Sequence, residues 1–435
     1  MTSGVDAVLV RELHHFVGDR IQAEQNRRRQ RGEPVLAGEG ERQYARAIIN
    51  EVLRQYDENQ RINGSPQLTG EVEDEIGDAI YARMFGAGRL QRLLDDDTIE
   101  NIDINGCDEV WISRAGEDFA EPGEPVADSD AELIELVQSL ASYSGLSSRP
   151  FDTANPELDL QLPDGSRLSA VMAVAHRPTV SIRRHRFQKV TLADLVGMGT
   201  LTEDGADFLR AIVTARLNVV ISGGTNGGKT TLLRAAAAEI DPRERLITIE
   251  KAFELALRDD VDRHPNCVAL ESRPANAEGA GGVSMAQLVR RTLRQNPDRV
   301  IVGEVLGDEI VPMLNAMSQG NDGSLSTIHA DSARETFARI SSYAQQAEGL
   351  PRSVVHEMIA GAIDFVVFIS RDRHGGRRRV RSILEVNGYD DQIGVSSSEV
   401  FTTNADGDAV RNQQVSVQRV DALAGTGWTD TGGGW

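Results

Sequence analysis

The sequence predicts an α/β protein: a mostly parallel sheet with helices on both faces in its second half, preceded by a smaller mixed α/β domain and an N-terminal helical bundle. Three observations carry this. From Leu217 onward, short apolar runs such as Val219–Ser222, Leu246–Ile249 and Val300–Val302 alternate with helical patterns at 232–238, 288–293 and 311–317, the mark of strands joined by crossover helices. Before Ile99 the apolar spacing is helical, and from Ile99 it becomes that of strands. A Gly-rich segment, Gly223 to Thr230, stands between one of the apolar strands and a helix.

In the first region, residues 1–95, Ala45, Ile48, Ile49, Val52 and Leu53 recur at helical spacing within 41–56, and 72–85 repeats the pattern. Asn63, Gly64, Ser65 and Pro66 are turn formers between them. Arg27, Arg28, Arg29 and Arg31 form a basic cluster, expected as a solvated face. Residues 96–190 form the mixed domain. Ile99, Ile102 and Ile104 lead through Asn105 and Gly106 to Val110 and Ile112, and a helix carrying Leu133, Ile134, Val137 and Leu140 follows, with Asp128 or Ser129 as its cap. Leu158, Leu160 and Leu162 alternate up to Pro163, Asp164 and Gly165, and Leu168, Ala170 and Met172 alternate back, which predicts a hairpin.

Residues 191–402 hold the parallel sheet, closing with strands at 365–370 and 380–386 around His374, Gly375 and Gly376. The Arg377–Arg379 run beside this turn is expected as hairpin surface. The end, 403–435, is rich in Gly, Thr, Asp and Asn and is expected to be a polar, disordered tail.

Composition narrows the function. With 46 Lys and Arg against 67 Asp and Glu, the net charge of −21 repels a nucleic-acid backbone, so no nucleic-acid partner is expected. There is no signal-peptide pattern and no apolar run of the roughly 20 residues needed to cross a bilayer, which predicts a cytoplasmic chain. Cys107 and Cys267 lie far apart, without a metal-type pair, and suit a reducing compartment.

The chemistry is concentrated in Gly223-Gly224-Thr225-Asn226-Gly227-Gly228-Lys229-Thr230, a phosphate-binding loop between the strand ending at Ser222 and a helix expected over Thr231–Ile240. Glycines let successive N–H groups point into one concavity, and the helix N-terminus adds positive potential for the β- and γ-phosphates of ATP. Lys229 adds a full charge, and the Thr230 hydroxyl is suited to Mg²⁺. Glu304 ends the buried strand 300–302 at the edge where a parallel sheet presents ligands, and is the candidate to orient or deprotonate the attacking water. Glu250, with Glu254 one turn on, is a second acidic edge expected near Mg²⁺, and His329 ends the strand 324–328, able to hydrogen-bond a γ-phosphate although a lone histidine of this kind is more often structural.

Taken together, the loop, Thr248-Ile249-Glu250 with Glu254, Asn296-Pro297-Asp298-Arg299 leading to Gly303-Glu304, and Gly323 to Ala330 resemble the type II/type IV secretion ATPase superfamily. Gly88 to Leu94, Asn105-Gly106 and Leu162 to Arg167 resemble its Flp (Tad) pilus-assembly branch. The resemblance implies a RecA-like P-loop NTPase domain behind a smaller domain, in a homo-hexameric ring that works on an inner-membrane platform protein. It implies nucleotide contacts from Gly223 through Thr231, an acidic box at Glu250 and Glu254, a catalytic Glu304, and a His-box residue at His329. Arg167 and Arg183 resemble the N-terminal-domain arginines that reach the γ-phosphate. The chain departs from the family pattern at Lys251, Leu306 and Asn321, which predicts a slow ATPase. A conjugative or type IV secretion ATPase, and a non-hydrolysing nucleotide-dependent assembly switch, are the alternative readings.

Overall fold

The computed structural model describes residues 7–31, 36, 39–62, 68–85, 87–114, 117, 119–143, 150–162, 164–184, 189–273, 275, 280–372 and 376–430. The chain divides into two units, one of residues 1–113, 121–162 and 168–184, the other of 114–120, 163–167 and 185–435. The turns expected at 63–66 and at 374–375 lie outside the described residues. No helix among the described residues is long and apolar enough to cross a membrane.

The first unit opens with helices α1 (Ala7–Arg31), α2 (Glu39–Ile62) and α3 (Gly70–Phe85). Their heptad-like apolar positions meet in one core of Val10, Leu13, Val17, Ile49, Leu53, Ile76 and Ile80. After α4 (Gln91–Asp95) come β1 (Ile99–Asn105), β2 (Val110–Arg114), β3 (Glu121–Pro122), α5 (Asp130–Tyr143), β4 (Glu157–Gln161), β5 (Arg167–Val171) and β6 (Thr179–Arg183). Ser129 Oγ accepts the Glu132 N–H at the start of α5. The sheet order is β3-β2-β1-β6-β5-β4, with β6 antiparallel to β1 and Asn101 opposite Arg183. Alternate residues of these strands point at α5, so Ile102, Ile104, Leu160, Leu168 and Ile182 are buried with Leu133 and Val137.

The second unit begins with α6 (Leu192–Gly197) and α7 (Glu203–Thr214), capped by the Thr191 and Thr202 side chains. Next come β7 (Val219–Gly223), α8 (Lys229–Ala237), β8 (Leu246–Glu250), β9 (Cys267–Glu271), α9 (Met285–Thr292), β10 (Arg299–Val305), α10 (Ile310–Ser318) and β11 (Leu325–His329). The remaining elements are α11 (Glu335–Glu348), α12 (Arg352–Ala362), β12 (Phe365–Arg371), β13 (Arg378–Asp390), β14 (Gly394–Thr403), β15 (Ala409–Arg411) and α13 (Val420–Leu423). The nine strands run in the order β15-β14-β13-β12-β7-β11-β10-β8-β9. From β12 to β9 the pairing is parallel, and β13, β14 and β15 extend the other edge antiparallel. The strand alternation splits the core in two. Val219, Ile221, Ile301 and Val367 face α6, α7 and α8, while Val220, Val300, Val302 and Val366 face α9 to α12.

Two expectations change. The helix after the glycine-rich loop starts at Lys229, not Thr231, because the backbone turns helical directly after Gly228. Residues 403–430, expected as a disordered tail, are packed. Val417 and Leu423 are buried in the core that contains Phe401. The Trp428 ring lies 5.1 Å from Phe208, which also meets Phe365 and Phe401. Arg411 pairs with Asp430 in the same region. A segment of low mean hydropathy is held because its few apolar residues fall on one site, something composition averages away. Leu423→Ala should therefore destabilise the protein by about 3 kcal/mol, as for other buried leucines, read as a drop in the denaturant midpoint. An unchanged midpoint would mean that this end of the chain does not pack.

Candidate functional site

The site forms where β7, β10 and β11 end together. His329 lies opposite Gly223 in the parallel β11–β7 ladder, so the last residue of one strand meets the first residue of the glycine-rich loop. Asn226 and Gly228 have φ of +58° and +97°, and this left-handed pair curls the loop. Gly223 has no alternative: a Cβ there would stand 2.1 Å from the Ile369 carbonyl oxygen. α8 starts at Lys229 with no side-chain cap, so its first N–H groups and the curl form a concavity suited to an anion.

Lys229 is 7% exposed and its ammonium donates to the Gly224 carbonyl oxygen at 3.1 Å. His329 Nε2 is 2.7 Å from Glu304 Oε1, and the Lys229 ammonium lies 3.3 Å from His329 Nδ1 and 4.0 Å from Glu304. The same ammonium lies 3.4 Å from Nε2, so it sits beside both ring nitrogens, and the Nε2–H tautomer lets His329 donate to the carboxylate. Glu304 is placed by an irregularity in the β10–β11 ladder between Val302 and Val305, next to which Thr327 donates to the Gly303 carbonyl at 2.7 Å. The expected trio of Lys229, Glu304 and His329 is thus brought together. Thr230 and Thr231 continue into α8, and Thr225 is exposed on the loop.

Glu250 is placed differently from expectation. Instead of showing an acidic edge to a metal, it is 3% exposed and turned inward. Its Oε2 accepts the N–H groups of Glu254 and Leu255, both at 2.7 Å, and its Oε1 accepts the Thr248 hydroxyl at 3.1 Å. Gly303 makes room for it, since a Cβ there would lie 3.0 Å from Glu250 Cγ. Burial pushes its pKa up to about 7 against the opposing pull of those hydrogen bonds. Glu254 pairs with Arg167 at 3.0 Å. Arg183 ends β6 in the first unit and is exposed. Among the described residues no cluster of three or more His, Cys, Asp or Glu side chains is suited to a metal. The donor set here fits Mg²⁺ held by the Thr230 hydroxyl and by phosphate oxygens, not by a protein cage.

The three departures separate physically. Asn321 is buried and donates to the Ala316 carbonyl, closing the turn between α10 and β11, so it is a turn residue. Lys251 and Leu306 are exposed, Leu306 at 44%. Sequence reasoning missed Glu309, whose buried carboxylate accepts the N–H groups of Leu306 and, at 3.1 Å, Gly307, fixing the turn that follows Glu304. It also missed Arg378, whose guanidinium donates to the Asn226 carbonyl. Glu309 had a usable signal, an acid five residues after Glu304 at a helix start, whereas nothing local in sequence links Arg378 to the loop.

The Type II/IV secretion system protein family model matches residues 84–371. A Mycobacterium tuberculosis protein named for conjugal transfer is 38% identical over 312 residues, covering 70% of this chain and 85% of that protein. The type IV secretion system protein VirB11 of Brucella suis is 31% identical over 322 residues, covering 67% and 86%. The X-ray structure of the ATPase DotB from Legionella pneumophila overlays with a TM-score of 0.50 at 19% identity, covering 72% of this chain and 82% of that one. At that identity the likeness concerns the fold, which in the second unit is RecA-like. With its glycine-rich loop and the strand ends around it inside the matched span, the chain belongs to the type II/IV secretion system protein family.

Proposed function

We propose that the chain is an ATP-hydrolysing motor of a secretion or pilus machine, and that one observation carries this: Lys229, His329 and Glu304 form a continuous chain of contacts at the mouth of the phosphate loop. The loop N–H groups from Gly224 to Thr230 and the Lys229 ammonium would hold the polyphosphate, and Thr230 the Mg²⁺, which offsets the negative charge there. Glu304, one-third exposed, orients a water and accepts its proton. His329 holds that carboxylate through Nε2–H, and its contact with Lys229 makes the position of Glu304 sensitive to what the ammonium faces.

The relatives named for conjugal transfer and type IV secretion support work on a membrane machine. The finer reading, a Flp (Tad) pilus motor, rests on the resemblance of residues 88–94, 105–106 and 162–167. In either case the motor is a homo-hexamer at the inner face of the cytoplasmic membrane, held by a platform protein. Arg167 pairs with Glu254, and the roles of Arg167 and Arg183 toward a γ-phosphate rest on the resemblance. Glu250 acts as a latch that closes the turn 250–255, in place of a metal ligand.

Glu304→Gln should lower Mg²⁺-dependent ATP hydrolysis by about 100-fold or more while ATP still binds, and wild-type activity should rise cooperatively with protein concentration. A wild type that binds ATP yet turns over no faster than the variant, even when assembled, is a nucleotide switch and not a motor. The latch predicts a pH effect. Glu250 has a folded-state pKa raised from 4.5 to about 7, so between those values the native state holds a proton that the unfolded state has lost. Stability from this group is full below pH 4.5 and falls as pH rises towards 7. Glu250→Gln should flatten that slope in chemical unfolding measured across the window, and a variant with the wild-type slope would rule out Glu250 as its source.

A further inference from the structure

Arg378 was expected on a solvated hairpin, yet β13 aims it at the phosphate loop. Arg379 and Arg381 share one face of β13 and are occupied by carboxylates: Arg379 pairs with Asp372 at 3.1 Å and Asp408 at 2.6 Å, and Arg381 pairs with Asp372. Arg378 lies on the opposite face, as the two-residue period of a strand requires. Its Nε–H donates to the Asn226 carbonyl oxygen at 3.0 Å. Its stem lies against Gly228, where a Cβ would come within 3.1 Å of Arg378 Cδ and 3.3 Å of Ile369 Cδ1.

The location of these contacts matters. Asn226 and Gly228 are the two left-handed residues whose conformations turn N–H groups into the concavity. A curl that collects N–H groups on its inner side turns carbonyls outward, away from the hydrogen bonds of α8. Arg378 supplies the donor for one of them, and a charged donor makes the stronger kind of bond to a carbonyl. The wall behind it is built for the approach: the β12–β13 ladder shifts register between Phe368 and Ile369, and the Ile369 carbonyl is the atom pressed against Gly223.

We infer that Arg378 is a positioning residue of the phosphate loop, holding Asn226–Gly228 in the curl that grips a nucleotide polyphosphate and thereby linking nucleotide affinity to the β12–β13 hairpin. The inference rests on the nucleotide-binding reading of the loop. Because the grip acts on a bound nucleotide before and during reaction alike, its loss raises KM and leaves kcat nearly unchanged.

The test is titration of the full-length chain with a fluorescent ADP analogue, beside ATPase kinetics and nucleotide-free melting. Arg378→Ala is expected to raise Kd about tenfold, which corresponds to about 1.4 kcal/mol, with a similar rise in KM and kcat within about twofold of wild type. Arg378→Lys retains the stem against Gly228 and one donor, and is expected to recover part of the affinity; it also serves if the alanine variant folds poorly. A role confined to hairpin stability would instead lower the nucleotide-free Tm and the fraction of competent sites, with Kd unchanged in those that remain. Unchanged Kd in both variants while the wild type binds would overturn the inference alone. A wild type that binds no nucleotide would overturn it together with the reading of the loop.

Discussion

Parallel pairing of β11 with β7, with His329 opposite Gly223, sets where the groups of the site stand. In a parallel ladder all strands end on the same side, so the loop after β7, the carboxylate near the end of β10 and the imidazole at the end of β11 meet without any long excursion of the chain. The central strand β7 is buried on both faces, which makes the register costly to shift: Val219, Val220 and Ile221 are at most 2% exposed. A slip of one residue would exchange the two apolar cores and move His329 away from the loop at once.

Around that edge, several buried polar side chains maintain turns. Glu250 closes the turn after β8, Glu309 the turn after β10, and Asn321 the turn before β11. A carboxylate taken out of water is costly unless its oxygens accept hydrogen bonds, and in both glutamates the acceptors are used on backbone N–H groups that the turn would otherwise leave unpaired. Burial raises the pKa of both. Acidity near a phosphate site is thus divided by accessibility: Glu304, one-third exposed, is open to chemistry, whereas Glu250 and Glu309 maintain the turns around it.

Much of the fold was legible because periodicity is a property of neighbouring residues. The alternation Leu158, Leu160, Leu162 and the helical stripe Leu133, Val137, Leu140 appear in the structure as a strand and a helix. The strand β14 was missed because Ser396, Ser397 and Ser398 carry no apolar alternation, although the neighbouring β13 and β15 give it partners on both sides. The end of the chain was misread for a similar reason. Leu423 and Trp428 are separated by Ala424, Gly425, Thr426 and Gly427, which form no apolar run, and only their meeting with the cluster of Phe208 and Phe401 gives them a core.

The sequence alone determined the parallel α/β class and the position of the phosphate loop, and it singles out Lys229 and Glu304 as candidates from a local pattern and a strand end, whereas His329 is singled out by the family resemblance and not by its own apolar run. Tertiary structure decided which acids face water and which support turns, that Asn321 is a turn residue, and that Arg378 touches a loop about 150 residues earlier in the chain. Those outcomes depend on which side chains are brought against one another after folding, and burial, which decides whether a carboxylate is a reactant or a clasp, is set by neighbours distant in sequence.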